Sequence, residues 1–304
     1  MEYLVKAGSG FIRDKFDVKI SDLSPKIPLI GIPWDWSTGG KPGARFAPQS
    51  IRNALYSMRN SAYSFEELNI GFNDLGDVKI VSGDEKETSR RIREVSSNLY
   101  KINHLPVVFL GGDHSITKNT LYPLTEIHNS IGLFIFDAHY DLREVEEGLT
   151  SGSWLNELMK EKNNKISAMI IGISDYSNPS YMKDKAEKYK IKVFPRDFLL
   201  NDTSKLYYEI EAIKHNVNGI YISIDMDHID QSFAPGVNSP TALGMYPHET
   251  IKLLNKILEN ANLFGIDVTE VSPPYDINNN TSRLGAKFLL YALNYYLQGK
   301  QNFK

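Results

Sequence analysis

The feature that most restricts the fold of this chain is a set of short β-branched and aromatic runs, each followed directly by acidic residues or histidine. The clearest is Ile131–Phe136, which leads into Asp137, His139 and Asp141. Runs of this length and composition are typical of buried strands in a parallel sheet. Because side chains alternate along a strand, these three residues are predicted to project the same way beyond its carboxyl end. Open α/β sheets bind ligands at that end.

Three further runs of this kind end in residues with metal-binding chemistry. His114 follows one of them after a pair of glycines, Asp225 and Asp227 follow a second, and Glu270 follows a third. The carboxyl ends of parallel strands meet at one edge of the sheet, so these side chains are expected to converge with the first group. Buried carboxylates that face one another repel unless a cation lies between them.

Helical patterns separate the strands. Apolar residues recur with the period of an α-helix in residues 89–103, 203–215 and 281–297. Residues 181–190 are rich in lysine and glutamate and are predicted to form a solvated helix. Strands that alternate with helices predict an α/β fold with three layers, α/β/α, around a mostly parallel central sheet. Neither an internal repeat nor a linker-like segment interrupts the pattern, so a single domain over residues 1–304 is expected.

Composition narrows the possible partners. The formal net charge is -3, so the sequence shows no basic surface for nucleic acid, and we expect no nucleic-acid partner. No apolar stretch approaches the length of a membrane span, and the N-terminal residues do not resemble a signal peptide. The expected location is therefore the cytoplasm, with no membrane partner.

The residues at the strand ends favour a pair of metal ions. The chain has no cysteine, so any metal must be held by histidines and carboxylates. Two imidazoles and four aspartates are too many ligands for one ion; they are His114, Asp137, His139, Asp141, Asp225 and Asp227. The oxygen-rich set favours a hard cation such as Mn²⁺ over Zn²⁺. Two divalent cations that share a water hold hydroxide at neutral pH, which indicates hydrolysis.

The charges that follow Asp141 bear on the substrate. A binuclear phosphoesterase is one possibility, but phosphate sites usually add basic residues around the metals. Here Arg143 is the only basic residue in a segment that is otherwise acidic, with Glu144, Glu146, Glu147 and later Glu157. An acidic wall suits a cationic substrate, although the same glutamates could simply form a solvated loop.

Four motifs resemble the ureohydrolase family, which comprises arginases, agmatinases, formimidoylglutamases and guanidino-acid hydrolases. They are Gly-Gly-Asp-His-Ser at 111–115, Phe-Asp-Ala-His-Tyr-Asp at 136–141, Ser-Ile-Asp-Met-Asp at 223–227 and Asp-Val-Thr-Glu-Val-Ser-Pro-Pro-Tyr-Asp at 267–276. The resemblance covers roughly residues 28–295. It implies an arginase-like fold, a small-molecule guanidino or formimino substrate, and a homo-oligomer, typically a trimer or hexamer.

The resemblance also implies roles for individual residues. It implies two Mn²⁺ ions, one held by His114, Asp137, Asp141 and Asp225, the other by Asp137, His139, Asp225 and Asp227. Asp141 would also accept a hydrogen bond from the attacking hydroxide. Glu270 would pair with the nitrogens of the guanidinium group and fix its orientation.

Two pairs of segments disagree about the family member. Residues 41–52 and the segment around Glu270 resemble agmatinases, which convert agmatine to putrescine and urea. Residues 141–143 and 151–153 resemble formimidoylglutamases, and the second of these segments has no histidine where agmatinases and arginases carry one. Arg143 and Ser153 are the substrate-binding candidates in these segments.

The sequence favours agmatine as the substrate. Formimidoylglutamate has two carboxylates, and Arg143 is the only cationic residue that the sequence offers nearby. Formimidoylglutamase, which releases glutamate and formamide, is therefore the alternative, followed by a guanidino-acid hydrolase or an inactive metal-binding homologue.

Overall fold

A nine-stranded sheet runs through the computed structural model of the protein, which describes residues 4–5, 26–58, 71–102, 104–144, 150–200 and 203–301. The strands are β1 Leu4–Val5, β2 Lys26–Gly31, β3 Gly71–Val78, β4 Val107–Leu110, β5 Ile131–Phe136, β6 Ile166–Ile173, β7 Lys192–Pro195, β8 Gly219–Asp225 and β9 Leu263–Thr269. Their order is β1-β3-β2-β4-β9-β8-β5-β6-β7. Only the pairing of β1 with β3 is antiparallel, so the predicted mostly parallel sheet is confirmed for the described residues.

Helices cover both faces of the sheet. They are α1 Ala47–Ser57, α2 Glu85–Ile102, α3 Ile116–Ile127, α4 Trp154–Lys162, α5 Tyr181–Lys188, α6 Ser204–His215, α7 Pro247–Leu258 and α8 Asn280–Gln301. One apolar core packs α1, α6, α7 and α8 against the sheet. A second core packs α2, α3, α4 and α5 against the sheet. Strand β5 serves both, because Phe134 and Phe136 face the first core while Leu133 and Ile135 face the second. The three-layer prediction is confirmed.

The four predicted helices correspond to α2, α5, α6 and α8 and differ from them mainly at the ends, whereas the sequence analysis gave no bounds for α1, α3, α4 and α7. Helix α2 begins at Glu85, four residues before the predicted start. The negative charges of Glu85 and Glu87 in its first turn stabilise this end, because the N-terminus is the positive end of the helix dipole. Its predicted last residue, Asn103, lies outside the described residues. Among the described residues, no helix has the length and apolar character needed to cross a membrane.

Strand β3 was not predicted, because its sequence is polar rather than alternating. Its polar residues have a partner in α1, where the fully buried Arg52 forms ion pairs with Asp74 and Asp77. The Arg52 guanidinium also donates to the carbonyl of Gly76 at 2.7 Å. A buried charge requires such a set of partners, and this partnership joins residues that are distant in sequence.

The register of the central strands places the carboxyl ends that carry the polar residues at the same height in the sheet. Phe136 of β5 lies opposite Ile224 of β8, and Leu110 of β4 lies opposite Val268 of β9. Since β9 lies between β4 and β8, four adjacent strands present their carboxyl ends side by side. All nine strands belong to one sheet, which supports the proposal that the chain forms a single domain.

Candidate metal centre and catalytic cavity

Three carboxylates surround one nitrogen of His114. Its Nδ1 lies 3.0 Å from an oxygen of each of Asp137, Asp141 and Asp225, which come from the ends of β5 and β8. All four side chains are buried. Although these distances are short, Nδ1 has no aligned hydrogen-bond partner, and Asp137 Oδ2 has none either. Donor atoms that converge without bonding one another are the arrangement expected around a cation.

A second group lies beside the first. His139 Nδ1 is 3.0 Å from Asp227 Oδ2 and 3.5 Å from Asp137 Oδ1. Asp137, His139 and Asp227 could hold one ion, while His114, Asp137 and Asp225 could hold another. Asp137 belongs to both groups, so the structure brings together all six sequence-predicted ligands. Within the described residues, these are the two groups with such geometry.

A hydrogen-bond chain fixes the ring of His114 from behind. Its Nε2 lies 2.9 Å from the hydroxyl of Ser223, which donates to Asp267 Oδ1 at 2.6 Å. Asp267 is fully buried and also accepts hydrogen bonds from Thr117 and Tyr221. Because the Ser223 hydroxyl donates its hydrogen bond to Asp267, its oxygen is left to accept a hydrogen bond from the Nε2–H of His114. The Nδ1 atom then carries no proton and can serve as a ligand.

Trp154 holds Asp141 in place. Its indole nitrogen donates to Asp141 Oδ2 at 2.6 Å. The centroid of its ring lies 4.8 Å from the centroid of the His114 ring. Trp154 is the first residue of α4 and is almost completely buried. The sequence analysis missed this contact, since nothing in the local pattern connects a helix-start tryptophan to Asp141.

The charges of the cluster favour a bound cation. Burial, together with the charges of Asp227 and Asp137, raises the pKa of Asp225 well above its ordinary value. Burial and the charge of Asp225 likewise raise the pKa of Glu270 well above its ordinary range. Carboxylates with raised pKa values repel one another in their charged forms, and a divalent cation removes that repulsion. The residues therefore fit a metal centre.

An open cavity of about 240 Å³ lies above the cluster. Its floor is acidic and carries His114, His139, Asp141, Asp225, Asp227 and Glu270. Its wall is formed by Gly39, Gly40, Arg143, Thr150, Ser151, Gly152, Ser177, Asn178, Pro179, Met182, Asn238 and Ser239. Glu270 Oε1 accepts a hydrogen bond from the His114 amide at 2.9 Å, while Oε2 has no partner among the described residues. A buried and unpaired carboxylate oxygen at this position suits a cationic ligand group.

The two carboxylates most exposed to a ligand sit on unusual backbone. Asp141 has a φ of 52° and Glu270 a φ of 61°, both in the left-handed region. For residues other than glycine and asparagine this conformation costs about 1–3 kcal/mol. The surrounding contacts, including the Trp154 and His114 bonds, hold both side chains there.

The structure does not bring Ser153 to the cavity. Its side chain is fully buried, and its hydroxyl donates to the Thr150 carbonyl at 2.9 Å and accepts from the Thr150 amide at 3.0 Å. These bonds form the turn at the start of α4. The neighbouring Ser151 and Gly152 line the cavity instead, together with Arg143.

The acidic wall inferred from the sequence is not found where it was expected. Glu144 pairs with Lys160 and Lys185 on the outside of the cavity, and Glu157 pairs with Lys118. Neither glutamate contributes to the cavity lining. The other two glutamates of the segment, at 146 and 147, lie outside the described residues. Lysines from other elements neutralise the described acidic residues.

The stability of the metal-free protein should fall as pH rises. Burial and the charge of Asp137 raise the pKa of Asp141 to about 6. Burial lowers the pKa of His139, but Asp227 and Asp137 raise it, to about 12. A raised folded-state pKa means stability that is complete below the unfolded-state pKa and lost as pH rises through the folded value. Asp141 loses its contribution between pH 4 and 6, and His139 loses its contribution above pH 6.5.

The measurement is scanning calorimetry in the presence of a chelator at pH 5, 6, 7 and 8. We expect a steadily lower melting temperature across this series. The metal-loaded protein is the control, because cations replace protons at the same atoms and bind more tightly as the ligands lose protons. A melting temperature that rises with pH in the chelated protein would contradict the charge balance described here.

Comparison with known proteins identifies a family for this chain. Residues 25–294 match the sequence profile of the Arginase family. Formimidoylglutamase of Bacillus subtilis (strain 168) is 32% identical, covering 96% of this chain and 96% of the relative. The mitochondrial guanidino acid hydrolase of Homo sapiens is 30% identical, covering 92% of this chain and 80% of the relative.

Solved structures agree with the sequence comparison. The crystal structure of formimidoylglutamase from Bacillus subtilis subsp. subtilis str. 168 superposes with a TM-score of 0.84 at 28% identity, covering 91% of this chain and 89% of that chain. The agmatine ureohydrolase of Thermoplasma volcanium gives a TM-score of 0.79 at 26% identity, covering 92% and 93%. The chain therefore belongs to the arginase family, and it is a hydrolase that acts on linear amidines. The family predicted from the sequence is confirmed.

Proposed function

We propose that this protein hydrolyses formimidoylglutamate to glutamate and formamide, using two Mn²⁺ ions. The observation that carries this choice is the charge of the cavity wall. Among the described wall residues only Arg143 is charged, and its charge is positive. The similarity to formimidoylglutamases supports the same choice. The homo-oligomer and the cytoplasmic location inferred from the sequence remain predictions.

The floor of the cavity would receive the formimidoyl group. The six residues His114, Asp137, His139, Asp141, Asp225 and Asp227 would hold the ions, which when bound supply hydroxide at neutral pH and polarise the amidine. The free Oε2 of Glu270 would accept a hydrogen bond from an amidinium nitrogen and orient the group. Asp141, anchored by Trp154, would accept a proton from the attacking water.

The wall would receive the glutamate part of the substrate. Arg143 is exposed, and a Cβ at residue 152 would lie only 3.0 Å from Arg143 Nε and 3.1 Å from Arg143 Cδ. The missing side chain of Gly152 thus leaves room for the guanidinium group. The Arg143 amide also donates to the Gly152 carbonyl at 2.9 Å, which ties the two segments together. An arginine with this freedom can bind a carboxylate with two parallel hydrogen bonds.

Agmatine is the less supported substrate. Its far end is an ammonium group, which would need a carboxylate on the wall. Among the described residues, the carboxylates of the cavity all belong to its floor. Glu144 and Glu157, which had favoured a cationic substrate, pair with lysines elsewhere. The tail of agmatine would instead meet Arg143.

The proposal is tested with a substrate panel on the Mn²⁺-loaded protein. The panel holds formimidoylglutamate, agmatine, guanidinobutyrate and arginine, and formamide and urea are measured separately. We expect formamide from formimidoylglutamate at the highest kcat/KM. Urea from agmatine as the main activity would overturn the proposed substrate and show that the protein acts as an agmatinase. The absence of any product from every compound would overturn the enzyme assignment of this chain.

The Arg143→Ala variant should lose affinity for formimidoylglutamate. A charge-assisted hydrogen bond to a carboxylate contributes about 1.5–3 kcal/mol, which predicts a KM roughly 10–100-fold higher. The value of kcat should change little, because Arg143 lies on the wall and not beside the reacting group. The measurement is steady-state kinetics on the metal-loaded variant.

The matched control removes a cation close by but outside the cavity. Lys160 lies on α4 and pairs with Glu144 at 3.2 Å without lining the cavity. The Lys160→Ala variant should keep the KM of the parent protein. Equal effects of the two substitutions would show that general charge, and not a direct contact of Arg143, determines substrate affinity.

A further inference from the structure

The side chain of Asn178 is fully engaged with the backbone that carries His139. Its Nδ2 donates to the Ala138 carbonyl at 2.9 Å, and its Oδ1 accepts from the Tyr140 amide at 3.0 Å. Asn178 comes from the loop between β6 and α5, some forty residues after the segment that it contacts. The two hydrogen bonds hold the backbone directly before and directly after His139.

This segment needs such a partner because it has left the sheet. Strand β5 ends at Phe136, so the backbone of residues 138–140 no longer has a neighbouring strand to pair with. The Ser174 amide also donates to the Ala138 carbonyl, at 3.0 Å. Buried backbone groups without partners are costly. The amide of Asn178 supplies a donor and an acceptor in the way that a strand would.

The two histidines of the metal centre are held differently. The ring of His114 is buried and fixed through Nε2 by Ser223. The side chain of His139 is 23% exposed, and its Nε2 has no hydrogen bond to any described residue. In the part of the chain that the structure describes, nothing holds the ring of His139 from behind, so its direction depends on the backbone from which it projects.

We propose that Asn178 is a positioning residue for His139 and thereby sets the affinity of one of the two metal ions. The ion concerned is the one that Asp137, His139 and Asp227 would bind. Since both ends of the Asn178 amide are already occupied, its side chain lines the cavity without being free to bind substrate. This inference rests on the metal centre of the proposed function, although not on the identity of the substrate.

The test measures Mn²⁺ binding to the metal-free protein by calorimetry, with no substrate present. The parent protein is expected to take up two ions. In the Asn178→Ala variant one of the two affinities should fall by about 10–100-fold, the usual effect of removing a group that orients a ligand. The other affinity should stay within about twofold of the parent value, because His114 keeps its own support.

A double-mutant cycle with His139 identifies the path of the effect. In a His139→Ala background, Asn178→Ala should cause no further loss of metal affinity, since the residue that it positions is already absent. The control is Ser177→Ala in the same loop. The Ser177 hydroxyl makes only a long contact, 3.4 Å, with the Asp175 carbonyl. Both metal affinities should be unchanged in that variant.

The outcomes separate the two proposals. A parent protein that does not bind two ions would overturn the metal centre itself. Unchanged affinities in Asn178→Ala, an equal loss in Ser177→Ala, or an additional loss in the His139→Ala background would overturn only the role of Asn178. If Asn178→Ala does not fold, Asn178→Asp replaces it. That variant keeps the acceptor for the Tyr140 amide but loses the donor to Ala138, so an intermediate loss is expected.

Discussion

The Asp225→Ala variant should lose most of its activity together with bound metal. Asp225 Oδ2 lies 3.0 Å from His114 Nδ1, and its Oδ1 accepts the Asp227 amide at 2.8 Å, so the residue joins both halves of the cluster. Because hydroxide at neutral pH depends on cations that lower the pKa of water from about 15.7 towards 7, we expect kcat to fall by about 10³-fold or more. The measurement is metal content by mass spectrometry alongside kcat at saturating Mn²⁺.

A conservative change at a nearby aspartate is the control. Asp230 accepts hydrogen bonds from the amides of Ser232 and Gly244 in the loop after β8 and takes no part in the cluster. Asp230→Asn keeps one of the two acceptor oxygens and loses the hydrogen bond at the other, outside the cluster, so metal content should be retained and kcat should change only slightly. If Asp225→Ala keeps two ions and its turnover, the assignment of Asp225 as a ligand is wrong.

The Glu270→Gln variant should bind metal normally but turn over poorly. Glutamine retains an oxygen for the His114 amide, which Glu270 Oε1 now accepts at 2.9 Å, so the position of His114 should be preserved. It replaces the unpaired Oε2 with a neutral group and removes the charge that would face the amidinium. The loss of one such oriented electrostatic contact typically lowers kcat roughly 10²–10³-fold.

The control for this prediction is the same substitution at a distant glutamate. Glu249 accepts the Tyr246 amide at 2.7 Å at the start of α7, and Glu249→Gln keeps that acceptor. It should show parent-like kinetics. A Glu270→Gln variant that loses metal would show that Glu270 supports the cluster, and one that keeps the parent kcat/KM would show that Glu270 does not orient the substrate.

Local patterns were sufficient for the central strands of the sheet and for the polar residues that follow their carboxyl ends. Side-chain alternation placed Asp137, His139 and Asp141 beyond β5, and parallel strand ends brought His114 and Asp225 to the same place. These inferences needed only the period of a strand and the direction of a parallel sheet. The assignment of each residue to an ion remains a proposal.

The sequence analysis missed the partners of the site residues that come from other elements of the fold. The indole of Trp154 reaches Asp141, and the amide of Asn178 reaches the backbone beside His139. No periodicity marks either residue, because each contact depends on how the chain folds back over the strand ends after it leaves the sheet. The lysine partner of Glu157 is equally invisible in a local pattern, so an acidic segment was interpreted as a wall of the cavity.

The position of β9 determines when this centre can form during synthesis. Strand β9 is the last of the described strands, yet it lies between β4 and β8. Until it has left the ribosome, His114 beyond β4 cannot take its place beside the aspartates of β5 and β8. The nascent chain can therefore present incomplete groups of ligands but never the whole centre. The group of Asp137, His139 and Asp227 follows β5 and β8, which pair directly, so one ion could bind before β9 is in place. The complete centre, and with it the proposed activity, is expected only after β9 has entered the sheet.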